Sequence, residues 1–251
     1  MAALKAKLNK HSFILISFLF LTGTANAWIR STDSSLFVCG HGDILYTQLK
    51  NHLYGDDLIP GFGYGYGVEA YFSQWQEFGF TAGFQFASRQ FSKDNGIEVY
   101  NRLNESIGYT KAMYKLNYIS LPVSARYNFG TRFNVYADIG AMVNVLLSAS
   151  RAANTDSLPD NAYIPEHNYR FDSRPDHPGL TFSLRAGGGV EYYITSRLAV
   201  YADYKYFLDL SSFYVYENIA GGVDPKMYGH SLHIGLRYGI PIRYSVDERF
   251  Q

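Results

Sequence analysis

From residue 230 to residue 244 the chain alternates without a slip. Leu232, Ile234, Leu236, Tyr238, Ile240, Ile242 and Tyr244 are separated by Ser231, His233, Gly235, Arg237, Gly239, Pro241 and Arg243. A period of two is what a β-strand imposes, because successive side chains leave opposite faces of the sheet. Residues 197–210 repeat the pattern, with Leu198, Val200, Ala202, Tyr204, Tyr206, Leu208 and Leu210 on one row. Residues 179–194 repeat it again with Leu180, Phe182, Leu184, Val190, Tyr192 and Ile194. None of the three apolar rows contains a charge, so each segment needs an entirely apolar environment on one face.

Similar segments lie upstream. In residues 132–148, Phe133, Val135, Ala137, Ile139, Ala141, Val143 and Val145 oppose Asn134, Tyr136, Asp138 and Asn144. In residues 118–129, Ile119, Leu121, Val123, Ala125, Tyr127 and Phe129 oppose Ser120, Pro122, Ser124, Arg126 and Asn128. Pro122 in mid-strand predicts a bulge or kink. Residues 77–89 place Phe78, Phe80, Phe84 and Phe86 opposite Gly79, Thr81, Gly83, Gln85 and Arg89. Residues 61–67 read GFGYGYG, which fails the dinucleotide fingerprint because Tyr66 stands where the last glycine is required. The stretch reads instead as a strand with one aromatic face and one bare face, continued by Val68, Glu69 and Phe72. Residues 35–47 alternate poorly and are taken as a strand because a closed antiparallel barrel needs an even number.

The connections alternate in length. Short links are predicted near residues 73–76, 130–131 and 195–196, and long polar ones at 50–60, 92–116, 151–178 and 211–229. Tight turns at one end and long loops at the other describe a transmembrane barrel. The Pro, Asp and Asn content of residues 156–178 predicts an exposed, mobile loop.

At the N-terminus, Lys5, Lys7 and Lys10 precede the apolar run of residues 13–21, and Ala25-Asn26-Ala27 supplies small residues at a cleavage site. Residues 1–27 are therefore expected to be a signal peptide, and residues 28–251 a single domain. The remaining chain is slightly acidic and has no apolar stretch long enough to span a membrane as a helix. Lys+Arg and Asp+Glu both total 22, which argues against a nucleic-acid partner. Cys39 has no second cysteine to pair with and reads as a weakly packed thiol.

Alternation alone suits a soluble barrel as well as a membrane one, and the polar row distinguishes them. It mixes Gly, Ala, Ser and Tyr with opposed charges, the mark of an interior rather than of a solvated face. An eight-stranded barrel has a lumen just wide enough for its own side chains. Glu69, Arg126, Asp138, Arg185, Glu191, Asp203, Lys205 and Arg237 are predicted to form a lumen charge network, with room supplied by Gly61, Gly63, Gly65, Gly67, Gly187, Gly189, Gly235 and Gly239. The apolar row then faces outer-membrane lipid, with Phe72, Tyr127, Phe129, Phe133, Tyr192 and Tyr244 as an aromatic girdle beside the short turns. The expected fold is all-β: a closed antiparallel transmembrane β-barrel of about eight strands, with four long outer loops and short periplasmic turns.

The segments LFVCGHG, YISLPVSARYNFG (residues 118–130), VYADIGAMVNVLLSA and GLTFSLRAGGGVEYYITSRLAVYADYKYFLDLSS carry a resemblance that covers nearly all of the chain after residue 27. On them the chain resembles the outer-membrane β-barrel domain family of the PorT-like, porin-family type found in Gram-negative bacteria. The resemblance implies residence in the bacterial outer membrane, and admits a role in a secretion or envelope-assembly machine.

Read from the residues, the lumen charges neutralise one another in a plugged or narrow barrel, and buried charges must be paired. The expectation is a non-enzymatic protein, without cofactor or metal, whose long loops contact protein or glycan partners or other ligands. An alternative is an outer-membrane lipid-modifying acyl hydrolase, because Ser231 and His233 share a face and Asp203 is available on another strand. His41, His52, His167, His177 and His230 show no metal-ligand spacing. Asp156, Asp160, Asp172 and Asp176 read as solvated loop acids rather than a calcium site. Asn104-Glu105-Ser106 matches a glycosylation sequon of little weight in a bacterial chain.

Overall fold

The computed structural model describes residues 36–50, 58–73, 77–154, 158, 162–164, 170–173, 175, 177–212 and 226–240. The expected signal peptide lies outside the described residues, as do residues 241–244, Tyr244 of the girdle, and parts of the segments 50–60, 73–76, 151–178 and 211–229.

The strands are β1 (Leu36–Lys50), β2 (Leu58–Ser73), β3 (Phe78–Tyr100), β4 (Ser106–Gly130), β5 (Phe133–Ala153), β6 (Arg170–Asp172), β7 (Leu180–Tyr193), β8 (Leu198–Asp209) and β9 (Lys226–Ile240). Each barrel strand pairs antiparallel with the next, β5 pairing past the short β6 with β7, and β1 returns to β9 with Leu36 opposite Ile240. Eight strands thus form a closed ring, while β6 adds three residues to the outer end of β5. Closure leaves no free edge within the ring, so the strand backbones there satisfy one another without water.

The faces follow the alternation. On β9, Leu232, Ile234, Leu236 and Tyr238 are exposed outward, whereas Ser231, His233 and Arg237 are buried inside. The same division holds along β7 and β8, where Leu184, Val190, Val200 and Tyr204 face out and Arg185, Glu191, Asp203 and Lys205 face in. Phe72, Tyr127, Phe129, Phe133 and Tyr192 are all exposed on the outer surface near the short turns, with Tyr127 and Phe129 in edge-to-face contact. β1 departs from the rule. Phe37, Cys39 and Leu45 point inward, and Gly40 and Gly42 occupy outward positions, which is why its alternation is blurred in sequence. Cys39 is well packed, in a cluster with Phe37, Tyr71, Tyr193, Ala199 and Tyr201.

Two of the three expected tight turns, at residues 130–131 and 195–196, lie where expected. Gly130 takes φ 110° at the β4–β5 turn, a conformation L side chains rarely adopt. The Thr195 side chain accepts from Arg197 N and Leu198 N at the β7–β8 turn.

The expected long loop at residues 92–116 is largely strand. β3, β4 and β5 run for 23, 25 and 21 residues, against 14 and 12 for β7 and β8, and about 9–11 residues cross a bilayer. The polar run Lys93-Asp94-Asn95-Gly96 resembles a turn but is a bulge: Lys93 pairs with Ala112, Ile97 with Thr110, and Asn95 takes φ 54°. The true tip is residues 101–105, where the Asn101 side chain accepts from Leu103 N and Glu105 N. Inside this extension Phe91, Ile97, Leu116, Tyr118, Leu146 and Met227 join one apolar core. The described parts of residues 151–178 are tied to it: β6 pairs with β5, and Tyr163 bridges Tyr100 through paired backbone hydrogen bonds.

Pro122 is buried and causes no register shift. It keeps its pairing to Met142 on β5, while on the β3 side pairing stops at Ala82↔Val123 and resumes at Gln85↔Ser120. A missing N–H interrupts one ladder while the register holds on both sides of it, so a gap stands where a bulge was expected.

Candidate functional site

The barrel's interior is filled by side chains. All eight residues of the expected charge network are buried in it. Arg185 on β7 donates to Glu69 on β2 at 3.0 Å. Arg126 and Lys205 approach Asp138 at 3.6 and 3.8 Å, and Lys205 lies 3.4 Å from Asp203. Arg237 pairs with Glu191. Every cation therefore has a carboxylate, as burial requires. Aromatic faces add to this: Arg126 sits 3.7 Å from the Tyr136 ring centroid and Arg237 4.9 Å from that of Tyr71.

Further groups on the same surface went unassigned in the sequence. Arg89 donates to Asp209 at 2.9 Å, with its guanidinium between the rings of Tyr118 and Phe207. Asn144 links strands by donating to Thr181 and Ser183 and accepting from Ser120. His41 and Asp43 lie inside with His233, although the spacing of histidines along the chain gave no sign of it. The missing signal was the facing of β1. Once Phe37 is known to point inward, Cys39, His41 and Asp43 must follow at every second position.

The bare face of β2 serves two purposes. A Cβ on Gly65 would lie 2.8 Å from Asp43 Oδ2, and one on Gly67 would lie 2.7 Å from His41 Nε2, so these glycines leave space for lumen side chains. At Gly61 and Gly63 a Cβ would instead strike backbone oxygens of Gln90 and Ser88 on β3, beside the register shift between Pro60 and Tyr64.

The hydrolase alternative finds its three residues together. His233 Nε2 is 2.9 Å from Ser231 Oγ, and His233 Nδ1 is 3.3 Å from Asp203 Oδ1. All three are buried, and Ser231 and His233 line a cavity of about 20 Å³ together with Gln85, Arg89 and Lys205. That volume holds roughly one water, against roughly 300–1,000 Å³ for a small-molecule site.

The family model for the outer membrane protein beta-barrel domain matches residues 14–239. The chain belongs to that family. The apolar outward belt of this outer-membrane barrel is thus its membrane-crossing zone, and Gln90, Lys115, Asn117 and Ser148 are polar outward positions of β3–β5 at its outer border. Among solved structures the barrel is similar to Neisserial surface protein A of Neisseria, at 15% identity over 82% of this chain and 98% of that one, TM-score 0.46. It is also similar to OprG of Pseudomonas aeruginosa, at 11% identity over 86% and 100%, TM-score 0.48. The attachment invasion locus protein Ail of Yersinia pestis matches at 13% identity over 82% and 99%, TM-score 0.40. No curated protein matches the chain.

Proposed function

We propose that this outer-membrane barrel is a non-enzymatic, closed scaffold that holds a projecting binding surface outside the lipid. The observation that carries the reading is the extension of β3, β4 and β5 past the apolar belt, stiffened by its own core around Phe91, Ile97, Leu116 and Leu146. Loops on a rigid scaffold are where recognition is commonly placed. A filled, ion-paired lumen supports a barrel that conducts little or nothing, and the space beside Ser231 is too small for an acyl chain. Outer-membrane lipid covers the belt, and protein or glycan partners meet the projection.

Crosslinking on intact cells tests this. Replacing residues 97–110 by a two-residue turn shortens the projection and spares the membrane-crossing strands. Crosslinked species found with the parent and lost from the shortened barrel support the reading, and an unchanged set overturns it. A stoichiometric partner that stays bound through purification of both forms assigns the chain to an envelope machine instead. Discrete conductance steps in planar bilayers would remove the closed-barrel part, and a lipid profile altered by Ser231→Ala would restore the hydrolase.

A further inference from the structure

Three buried atoms in the lumen, on His41, Asp43 and His233, lie close together, and a fourth, on Asp203, lies against His233. His41 Nε2 and His233 Nδ1 each lie 3.6 Å from Asp43 Oδ1, and Asp203 Oδ1 lies 3.3 Å from His233 Nδ1. None of the four has a hydrogen-bond partner, and the side chains that carry them are at most 2% exposed. The donor atoms of His41, Asp43 and His233 all fall within 4.8 Å of one another.

Strand register builds the cluster. Asp43 on β1 is directly opposite His233 on β9, and His233 is directly opposite Asp203 on β8. His41 is the neighbouring inward position on β1, and its ring stacks on His233 with centroids 4.9 Å apart and planes 14° apart. Gly65 and Gly67 on β2 leave the room that His41 and Asp43 occupy.

The far side of each group is held. His41 Nδ1 is 3.2 Å from Tyr201 Oη, and His233 Nε2 is 2.9 Å from Ser231 Oγ. A proton on each of those nitrogens, donated to the hydroxyl, leaves a lone pair on the nitrogen that faces Asp43. Asp43 Oδ2 accepts from Gln85, and Asp203 Oδ2 accepts from Tyr136 at 2.8 Å, so each carboxylate is anchored through one oxygen and bare at the other. Lys205 lies 3.4 Å from the anchored oxygen of Asp203. Among the described residues the other buried carboxylates, Glu69, Asp138, Glu191, Asp203 and Asp209, each have an Arg or Lys partner, whereas Asp43 has histidines alone.

In that tautomer His41, Asp43 and His233 present three convergent acceptors with no hydrogen between them, an arrangement suited to a cation. Zinc bonds to nitrogen and oxygen of about 2.0–2.1 Å set the edge of a tetrahedron at roughly 3.3–3.4 Å, close to the three spacings of 3.6, 3.6 and 3.3 Å. We propose that His41, Asp43 and His233 form a buried site for a divalent transition metal of the zinc class, with Asp203, which touches His233, as the nearest fourth ligand, so that the ion clamps β1, β8 and β9 together. Tyr201, Ser231, Gln85 and Tyr136 are its positioning residues.

The test uses untagged full-length protein in detergent, folded either with Zn²⁺ present or after chelation followed by Zn²⁺ titration. One equivalent of zinc per chain is expected, with tetrahedral visible absorption when Co²⁺ replaces it. Asp43→Asn and His41→Gln should weaken zinc binding more than tenfold, and Ser231→Ala about tenfold by freeing the His233 ring. His230→Gln, on the outer surface, keeps the full equivalent. Heat-modifiable gel mobility verifies that each variant is folded, and Ser231→Ala, the smallest change, serves if the ligand variants are not. Folded parent protein without stoichiometric zinc by either route overturns the proposal, as does undiminished affinity in folded Asp43→Asn or Ser231→Ala.

Discussion

β3 reverses its polarity at one level of the barrel. Below it, Phe84 and Phe86 face outward and Gln85 faces in; above it, Gln90 faces outward and Phe91 and Ile97 face in. Where hydrocarbon lies outside, apolar side chains need no interior, and the lumen is left to Arg185, Glu69, Asp138 and their partners. Where water lies outside, the same strand must bury its apolar row as any soluble protein does. Arg89 stands at the junction, its charge turned to Asp209 and its flat faces to Tyr118 and Phe207. Two solvents have written two patterns on one continuous strand.

Breaking the ionic half should be most damaging. Arg185→Met strands Glu69 as a buried charge and is expected to cost about 3–5 kcal/mol in urea unfolding followed by gel mobility. Adding Glu69→Gln should restore much of it; no restoration would mean that the pair is not the cause. In the apolar half, Leu116→Ala is expected to cost about 2–5 kcal/mol. Limited proteolysis should then cut residues 91–116 while the crossing strands keep their folded mobility. Loss of the whole barrel would deny the two halves their separate cores. Ile234→Arg, which puts a charge in the lipid belt, should cost about 2–4 kcal/mol and impair insertion into vesicles more than His233→Arg does; equal effects would contradict the assignment of faces. Smallest is Asn101→Ala, which removes the side-chain acceptor at the hairpin tip. It should cost about 1 kcal/mol or less and quicken proteolysis at residues 101–105 alone.

Strands β7, β8 and β9 are legible in the sequence because one environment governs their outward rows for most of their length. β3 and β4 are legible only in their membrane-crossing parts, residues 78–89 and 118–129, since the pattern is lost where the strand leaves the membrane, and Lys93-Asp94-Asn95-Gly96 then looks like the end of the strand rather than a bulge. Arg126 and Asp138 could be paired from the hairpin alone, because they are cross-strand neighbours. Glu69 and Arg185 could not: they sit on β2 and β7 and meet across the lumen, a contact set by how the ring closes. His41 and Asp43 were hidden with the facing of β1, where Phe37, Cys39 and Leu45 occupy the side that elsewhere carries polar groups.

The seam between β1 and β9 also governs how this hoop can be made. Leu36 finds its partner only when Ile240 arrives, near the far end of the described chain. Until then every partial sheet carries two raw borders of unsatisfied amides, which hydrocarbon will not accept. With so distant a pairing as the last stitch, assembly is slow by contact order, and a nascent chain shortened before residue 226 has no stable halfway form in which to wait.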